Sequence, residues 1–278
     1  GGALFFLQSN AMQHDDVPVL NTTYMGSFLL SMAALFSAYI FHKRKIILRQ
    51  AEQAVHWLML CWGLLWWFCS GLIEIDEFVS SPYELNISLL FVTLSLLTLF
   101  LVARFVKWKA AEYPPVLLLP AMYLVCFVHL IDTPSTNLLS DYGVLSWVLA
   151  FSIQMLILYR CEWVWNKKVL SLWHAFTMYL YVFVCCLVIA DFVDYLNLDA
   201  NVWEFIVWGA IPAFGVLKMM YLRDRLSWPV MDYPQSYVSS GLLPIVLYLG
   251  IWVIIACYSV GDPSPLSYIP VLNPLELV

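Results

Sequence analysis

The stretch LNISLLFVTLSLLTLFLVARFVKWK, residues 85–109, is an apolar run that ends in basic side chains. Residues 85–103 carry no charge, and Arg104, Lys107 and Lys109 follow them directly. A hydrocarbon core about 30 Å thick needs about 20 such residues in an α-helix. The stretch therefore predicts one membrane crossing with a basic end.

The same pattern recurs along the chain. Hydrophobic residues make up 63% of the 278 residues and charged residues 12%, against roughly 45–50% and 25% in soluble domains, which excludes a soluble fold. Helices are expected, because no period-2 alternation is present and lipid offers backbone amides no partner. We predict one all-α region over residues 1–278, a polytopic transmembrane helical bundle of about eight helices arranged as consecutive hairpins. The predicted crossings are 24–42, 54–75, 83–106, 114–131, 142–160, 171–193, 202–221 and 238–260.

Basic residues are confined to one end of these crossings, and most acidic residues lie at the other. All 13 Lys and Arg residues lie at alternate junctions, and 14 of the 19 acidic residues lie at the others. Under the positive-inside rule the basic loops are cytoplasmic, so the acidic loops and both chain ends are predicted on the outer side. The basic residues are Lys43, Arg44, Lys45, Arg49, Arg104, Lys107, Lys109, Arg160, Lys167, Lys168, Lys218, Arg223 and Arg225.

Candidate site residues lie at the predicted outer ends of the helices. The i,i+3 spacing places His129 with Asp132, and Asp191 with Asp194, on one helix face each. Together with Glu74 and Asp262 these side chains could act as general acid and base, bind a divalent cation, or hold a polar headgroup. The alternative is a rim of solvated acids, which membrane insertion tolerates at that end.

The interior offers little chemistry. No Asp, Glu, Lys or Arg lies near a predicted helix midpoint, which argues against an ion-coupled carrier. Gln154 is the most central strongly polar side chain, and we expect it to make an interhelical hydrogen bond or, as the alternative, to bind a ligand. None of the seven cysteines forms a CxxC or a Cys/His ligand spacing, so no metal and no cofactor is predicted.

Histidines and prolines have ordinary interpretations. His42, His56 and His174 lie toward the basic face, where snorkelling or contact with lipid phosphate is expected. Pro212 and Pro244 lie inside apolar runs and predict local kinks.

The two ends of the sequence differ from its middle. Residues 1–23 are interpreted as the end of a preceding helix plus an outer loop. Residues 261–278, GDPSPLSYIPVLNPLELV, contain four prolines, which prevent a continuous helix. We expect an ordered outer-face segment there, with Asn273 and Pro274 starting another helix and Asn273 as a candidate binding residue.

Two motifs carry a family resemblance. Residues 62–67, WGLLWW, followed by Gly71 and Glu74, and the closing GDPSPLSYIPVLNPLEL resemble the bacterial multi-pass membrane protein family called domain of unknown function 2339. In that family the closing motif more often has Asp where this chain has Glu276. The resemblance implies a bacterial cytoplasmic (inner) membrane location and a segment of a longer polypeptide with a soluble N-terminal region. It implies no catalytic residue.

These observations favour a non-enzymatic module of the bacterial cell envelope with a structural, assembly or transport-associated role. One alternative is an enzyme acting on a lipid-linked or periplasmic glycan at the outer face. Another is a channel or carrier, which requires a polar path that the sequence barely offers. Expected partners are membrane lipids, other envelope proteins and the rest of a longer chain. The basic loops are short and lack interleaved aromatic residues, so no nucleic acid partner is expected.

Overall fold

The computed structural model describes residues 17–44, 54–132, 138–162, 165–196, 200–239 and 241–258. These residues form helices and turns with no β-strand, which confirms the prediction of an all-α polytopic fold. The predicted outer segment 261–278, with Asp262 and Asn273, and most of residues 1–23 lie outside the described residues.

Seven helices in the described part of the chain are long and apolar enough to cross a membrane. The fourth crossing, residues 109–131, includes two short 3-10 turns, Lys109–Glu112 and Pro114–Leu117, ahead of its α-helix. The helices are α1 (Thr22–Lys43), α2 (Val55–Phe78), α3 (Ser81–Phe105), α4 (Leu118–Asp132), α5 (Gly143–Cys161), α6 (Lys167–Tyr195) and α7 (Ala200–Leu222).

The helix of the last predicted crossing, 238–260, begins at Leu243 and not at residue 238. A π-helical turn, Ser227–Met231, and a single helical turn, α8 (Pro234–Tyr237), precede α9 (Leu243–Tyr258), an apolar helix of 16 residues. The kink predicted at Pro244 is wrong, because this proline is the second residue of α9. At that position the missing N–H has no partner inside the helix, so proline starts a helix without breaking it.

The chain divides into two compact units. The first comprises residues 1–121 and 141–153. Within it, α1 packs closely on α2 because the buried face of α1 carries small residues, Ser27, Ser31, Ala34 and Ala38. The hydroxyl of Ser31 donates a 2.8 Å hydrogen bond to the carbonyl of Gly63 on α2, so the two backbones approach closely.

The second unit comprises residues 122–140 and 154–278. In it α6 packs against α7, and α7 against α9. Gly209 on α7 permits that second contact, because a Cβ atom there would overlap the indole of Trp252 on α9. The same indole donates a 3.1 Å hydrogen bond to the carbonyl of Phe205.

Candidate functional site

Glu74, the predicted outer-face acid on α2, is part of a hydrogen-bond network in the first unit. Its two carboxylate oxygens accept from the side-chain amide of Asn21, at 3.0 and 3.1 Å, and one also accepts from the backbone N–H of Val19. Asn21 is the N-cap of α1, and its side-chain oxygen accepts from the N–H of Tyr24 at 2.6 Å. Glu74 therefore ties the end of α2 to the start of α1.

Asp191 has a comparable role in the second unit. Its carboxylate, near the end of α6, accepts a 3.1 Å hydrogen bond from the backbone N–H of Leu138. It also interacts electrostatically with His129 on α4 and with Asp194 one turn later. His129 is 4% exposed. The structure thus brings three of the predicted site residues together, His129, Asp191 and Asp194.

The candidate site residues do not all belong to the same unit. Glu74 belongs to the first unit, whereas His129, Asp191 and Asp194 belong to the second. Among the described residues, no group of three His, Cys, Asp or Glu side chains is arranged to hold a metal ion.

Gln154 on α5 is buried, with 1% of its surface exposed. Its amide donates a 3.3 Å hydrogen bond to the hydroxyl of Thr177 on α6, and that hydroxyl in turn donates to the carbonyl of Trp173 at 2.7 Å. The side-chain oxygen of Gln154 has no hydrogen-bond partner. The side chain therefore joins α5 to α6 within the second unit.

His174 and His56 on the basic side are buried, so the expectation of snorkelling is wrong for these two histidines. His174 is fully buried and His56 is 4% exposed. The ring of His174 stacks on Tyr233, with centroids 4.2 Å apart and planes 24° apart. Its Nδ1 shares a 2.8 Å hydrogen bond with the hydroxyl of Tyr237. The histidine holds α8 and the turn before it against α6.

Glu162, just after α5, holds the π-helical turn Ser227–Met231 in place. Its carboxylate accepts a 2.7 Å hydrogen bond from the indole N–H of Trp228. Burial, followed by the nearby Glu162 carboxylate, raises the pKa of Tyr233 to about 12. Burial also raises the pKa of Tyr237. Together these contacts form one polar cluster, whose members are Glu162, His174, Trp228, Tyr233 and Tyr237.

This cluster was not predicted from the sequence, because residues 222–237 lie between two predicted crossings and had no structure assigned to them. The available signal was composition, since residues 226–237, LSWPVMDYPQSY, combine three aromatic residues with two prolines. Two prolines prevent one continuous helix through this stretch, and aromatic side chains at that density need a surface to pack against.

The first unit also contains an apolar cleft of about 700 Å³ among α1, α2 and α3. On α3 and the residue after it, the lining runs from Phe91 to Val106. The indole N–H of Trp67 donates to the hydroxyl of Ser95 at 2.9 Å, so two of the few polar atoms in the cleft satisfy each other. Ligand sites have volumes of about 300–1,000 Å³, so the cleft has the size for an apolar chain.

Two smaller clefts lie in the second unit, with volumes of about 270 and 210 Å³. Aliphatic and aromatic side chains dominate both linings. Neither lining includes His129, Asp191 or Asp194. The described clefts therefore suit apolar groups.

Comparison with known proteins agrees with this picture of a helical membrane protein. No curated protein and no solved structure matches the chain. One family model does, over residues 22–278, and its description is "Predicted membrane protein (DUF2339)". The match covers all seven long apolar helices and more than nine-tenths of the sequence. The chain therefore belongs to the DUF2339 family of predicted membrane proteins.

Proposed function

We propose that this chain is a non-enzymatic helical module of the bacterial cytoplasmic membrane, with a structural or assembly role in the cell envelope. The observation that carries the proposal is the use of its polar side chains. Glu74, Asp191 and Gln154, three of the candidate site residues, each accept or donate a hydrogen bond that joins one segment of the chain to another. Side chains used in this way stabilise a scaffold.

The clefts support the same proposal. A hydrolase needs an acid and a base that both reach the substrate, and a carrier needs a polar path through the helices. The clefts described in each unit are lined mainly by aliphatic and aromatic side chains, with Lys218 as the one charged lining residue among them. Surfaces of that kind suit contacts with lipid and with other membrane helices.

Reconstitution and partner capture together test the role. Whole chain is cross-linked in bacterial membranes, captured, and compared with an unrelated seven-helix protein expressed at the same level. We expect reproducible enrichment of envelope proteins, or of the rest of a longer chain, over that control. We also expect no turnover of a lipid-linked glycan by the purified chain in vesicles. Turnover without enriched partners overturns the proposal.

The orientation is part of the proposal. The separation of all basic residues from the opposite junctions supports cytoplasmic basic loops, with the acidic ends on the outer side. Single-cysteine variants at Lys107 and Lys168, in a chain lacking its own cysteines, are labelled from each side of intact cells. Both are expected to react only from the cytoplasmic side, and a variant at Asp194 only from outside. Labelling of Lys107 and Lys168 from different sides overturns the orientation.

A second candidate function rests on the pairing of His129 with Asp191. A buried imidazole beside a carboxylate at the acidic end can exchange a proton with a substrate, so an enzyme acting on a lipid-linked or periplasmic glycan stays an alternative. Its test is the pair of variants Asp191→Asn and Asp194→Asn. The enzyme hypothesis expects turnover that Asp191→Asn abolishes and Asp194→Asn retains.

A further inference from the structure

The cleft among α1, α2 and α3 has the length and the access of a site for one hydrocarbon chain. Between Phe91 and Val106 its lining covers a helical rise of about 22 Å at about 1.5 Å per residue. One leaflet of a bilayer contributes about 15 Å of hydrocarbon, half of about 30 Å. The lining residues Phe36, Leu94 and Val102 are 65%, 44% and 46% exposed, so the cleft is open at the surface of the unit.

Three lysines lie next to residues that line one end of this cleft, either in space or in the chain. The ammonium of Lys43 lies 5.9 Å from the ring centroid of Tyr39, and Tyr39 packs edge-to-face on Trp108 with centroids 5.6 Å apart. Both rings line the cleft. Lys107 and Lys109 flank Trp108 in the chain and are exposed. An anionic group beside Tyr39 would lie close to the Lys43 ammonium, and the exposed Lys107 and Lys109 adjoin Trp108 in the chain.

The other end of the cleft is aromatic. Trp67 stacks on Phe91, with centroids 6.1 Å apart and planes 19° apart, and Phe68 packs edge-to-face on the same ring. The indole N–H of Trp67 already donates to Ser95. These rings therefore have no free polar group that could bind a lipid headgroup. A lipid in the cleft should place its charged headgroup at the end near Lys43 and its acyl chain toward the aromatic end.

We propose that the cleft binds one phosphate-bearing anionic lipid. An acyl chain lies along α3, and the phosphate lies at Lys43 and Lys107. An anionic lipid fits this cleft because an apolar slot long enough for the hydrocarbon of one leaflet has positive charge at one end. The site goes beyond the proposed assembly role and does not depend on it.

The lipid that stays bound to the chain after detergent extraction is a direct test of the site. The whole chain is reconstituted in vesicles of equal parts phosphatidylglycerol and phosphatidylcholine with identical acyl chains, extracted in mild detergent, and examined by native mass spectrometry. We expect one phosphatidylglycerol retained at least fivefold over phosphatidylcholine. Lys43→Glu combined with Lys107→Glu is expected to abolish that preference, and Thr98→Trp, which fills the cleft, to reduce retention of both lipids at least fivefold.

Matched controls separate the site from general surface effects. Arg223→Glu combined with Arg225→Glu reverses the same charge in the second unit, and Leu217→Trp adds the same ring at an exposed apolar position of α7. Both are expected to retain phosphatidylglycerol as the unmodified chain does. Leu94→Trp serves as a second filling variant if Thr98→Trp lowers the unfolding temperature.

Three outcomes overturn the lipid site. They are equal retention of the two lipids by the unmodified chain, full retention by a folded cleft-filling variant, and an equal loss in the control variants. None of them bears on the assembly role, which is measured by partner capture and by glycan turnover. A failure of either proposal is therefore recognisable by itself.

Discussion

The hydroxyl of Tyr248 on α9 donates a 2.9 Å hydrogen bond to the backbone carbonyl of Trp208 on α7. In an unbroken helix that carbonyl accepts from the N–H four residues later, but the residue there is Pro212, which has none. A backbone carbonyl without a partner is costly in hydrocarbon. The neighbouring helix thus supplies the donor that the sequence of α7 lacks.

Tyr248→Phe is expected to lower the free energy of unfolding by about 1 kcal/mol, because it leaves this carbonyl unpaired. In a Pro212→Ala background the cost should shrink, since alanine restores the helical N–H. A double-mutant cycle measured by reversible unfolding in detergent gives the coupling between the two positions. Tyr258→Phe on the exposed end of the same helix is the control. Equal costs in both backgrounds would contradict the argument.

Glu74→Ala is expected to destabilise the first unit by about 1–3 kcal/mol, because Asn21 and Val19 lose their shared acceptor. Glu74→Gln keeps an acceptor oxygen but loses the charge, so its cost should be smaller. Unfolding is followed by the same assay, with Asp76→Ala, an exposed acid on the same helix, as the control. Unchanged stability in Glu74→Ala would show that the network does not hold the two helices together.

Two glycine substitutions should change the free energy of unfolding in opposite directions. A Cβ atom at Gly71 would overlap the ring of Phe91, so Gly71→Ala is expected to cost about 1–3 kcal/mol through overpacking. At Gly250 nothing lies within 4 Å of the added atom, so Gly250→Ala should stabilise α9 by about 0.5–1 kcal/mol through helix propensity. Phe91→Leu should relieve part of the cost of Gly71→Ala. A stabilising Gly71→Ala would be inconsistent with close packing of α2 on α3.

Alkaline pH should destabilise the packing of Tyr233, the residue just before α8. Its pKa is about 12 in the fold, raised by burial and then by Glu162, against about 10 in an unfolded chain. A raised pKa means that the fold favours the neutral phenol, so this contribution is complete below pH 10 and disappears as the pH rises through 12.

Free energies of unfolding between pH 9 and pH 12 check the prediction. The decline should be steeper in the unmodified chain than in Tyr233→Phe. Glu162→Gln lowers the pKa of Tyr233 in the fold, so the decline should still begin near pH 10 but end at a lower pH and be smaller. Tyr195→Phe, at the exposed end of α6, should leave the profile unchanged. Identical slopes in the unmodified chain and Tyr233→Phe would exclude the effect.

Some site features were accessible from sequence and others were not. Glu74 and Asp191 were recognisable as carboxylates at helix ends, because charge and apolar run length are local properties. Their partners were not recognisable, since Glu74 accepts from Asn21, 53 residues away, and Asp191 from Leu138, also 53 residues away. Burial of His174 was hidden for the same reason, because Tyr237 lies 63 residues further along the chain.

The sequence by itself determined that the chain is an all-α membrane protein, where its long helices lie, and which family it belongs to. The helical fold and the positions of the helices follow from the length and apolarity of each stretch, since lipid obliges the backbone to satisfy its own hydrogen bonds within one helix. The family follows from the match over residues 22–278. Tertiary structure alone decided what each polar group does and where α9 begins. In an apolar chain the same small and aromatic side chains can face lipid or another helix with similar energy, so the choice between the two is made by shape complementarity between distant segments.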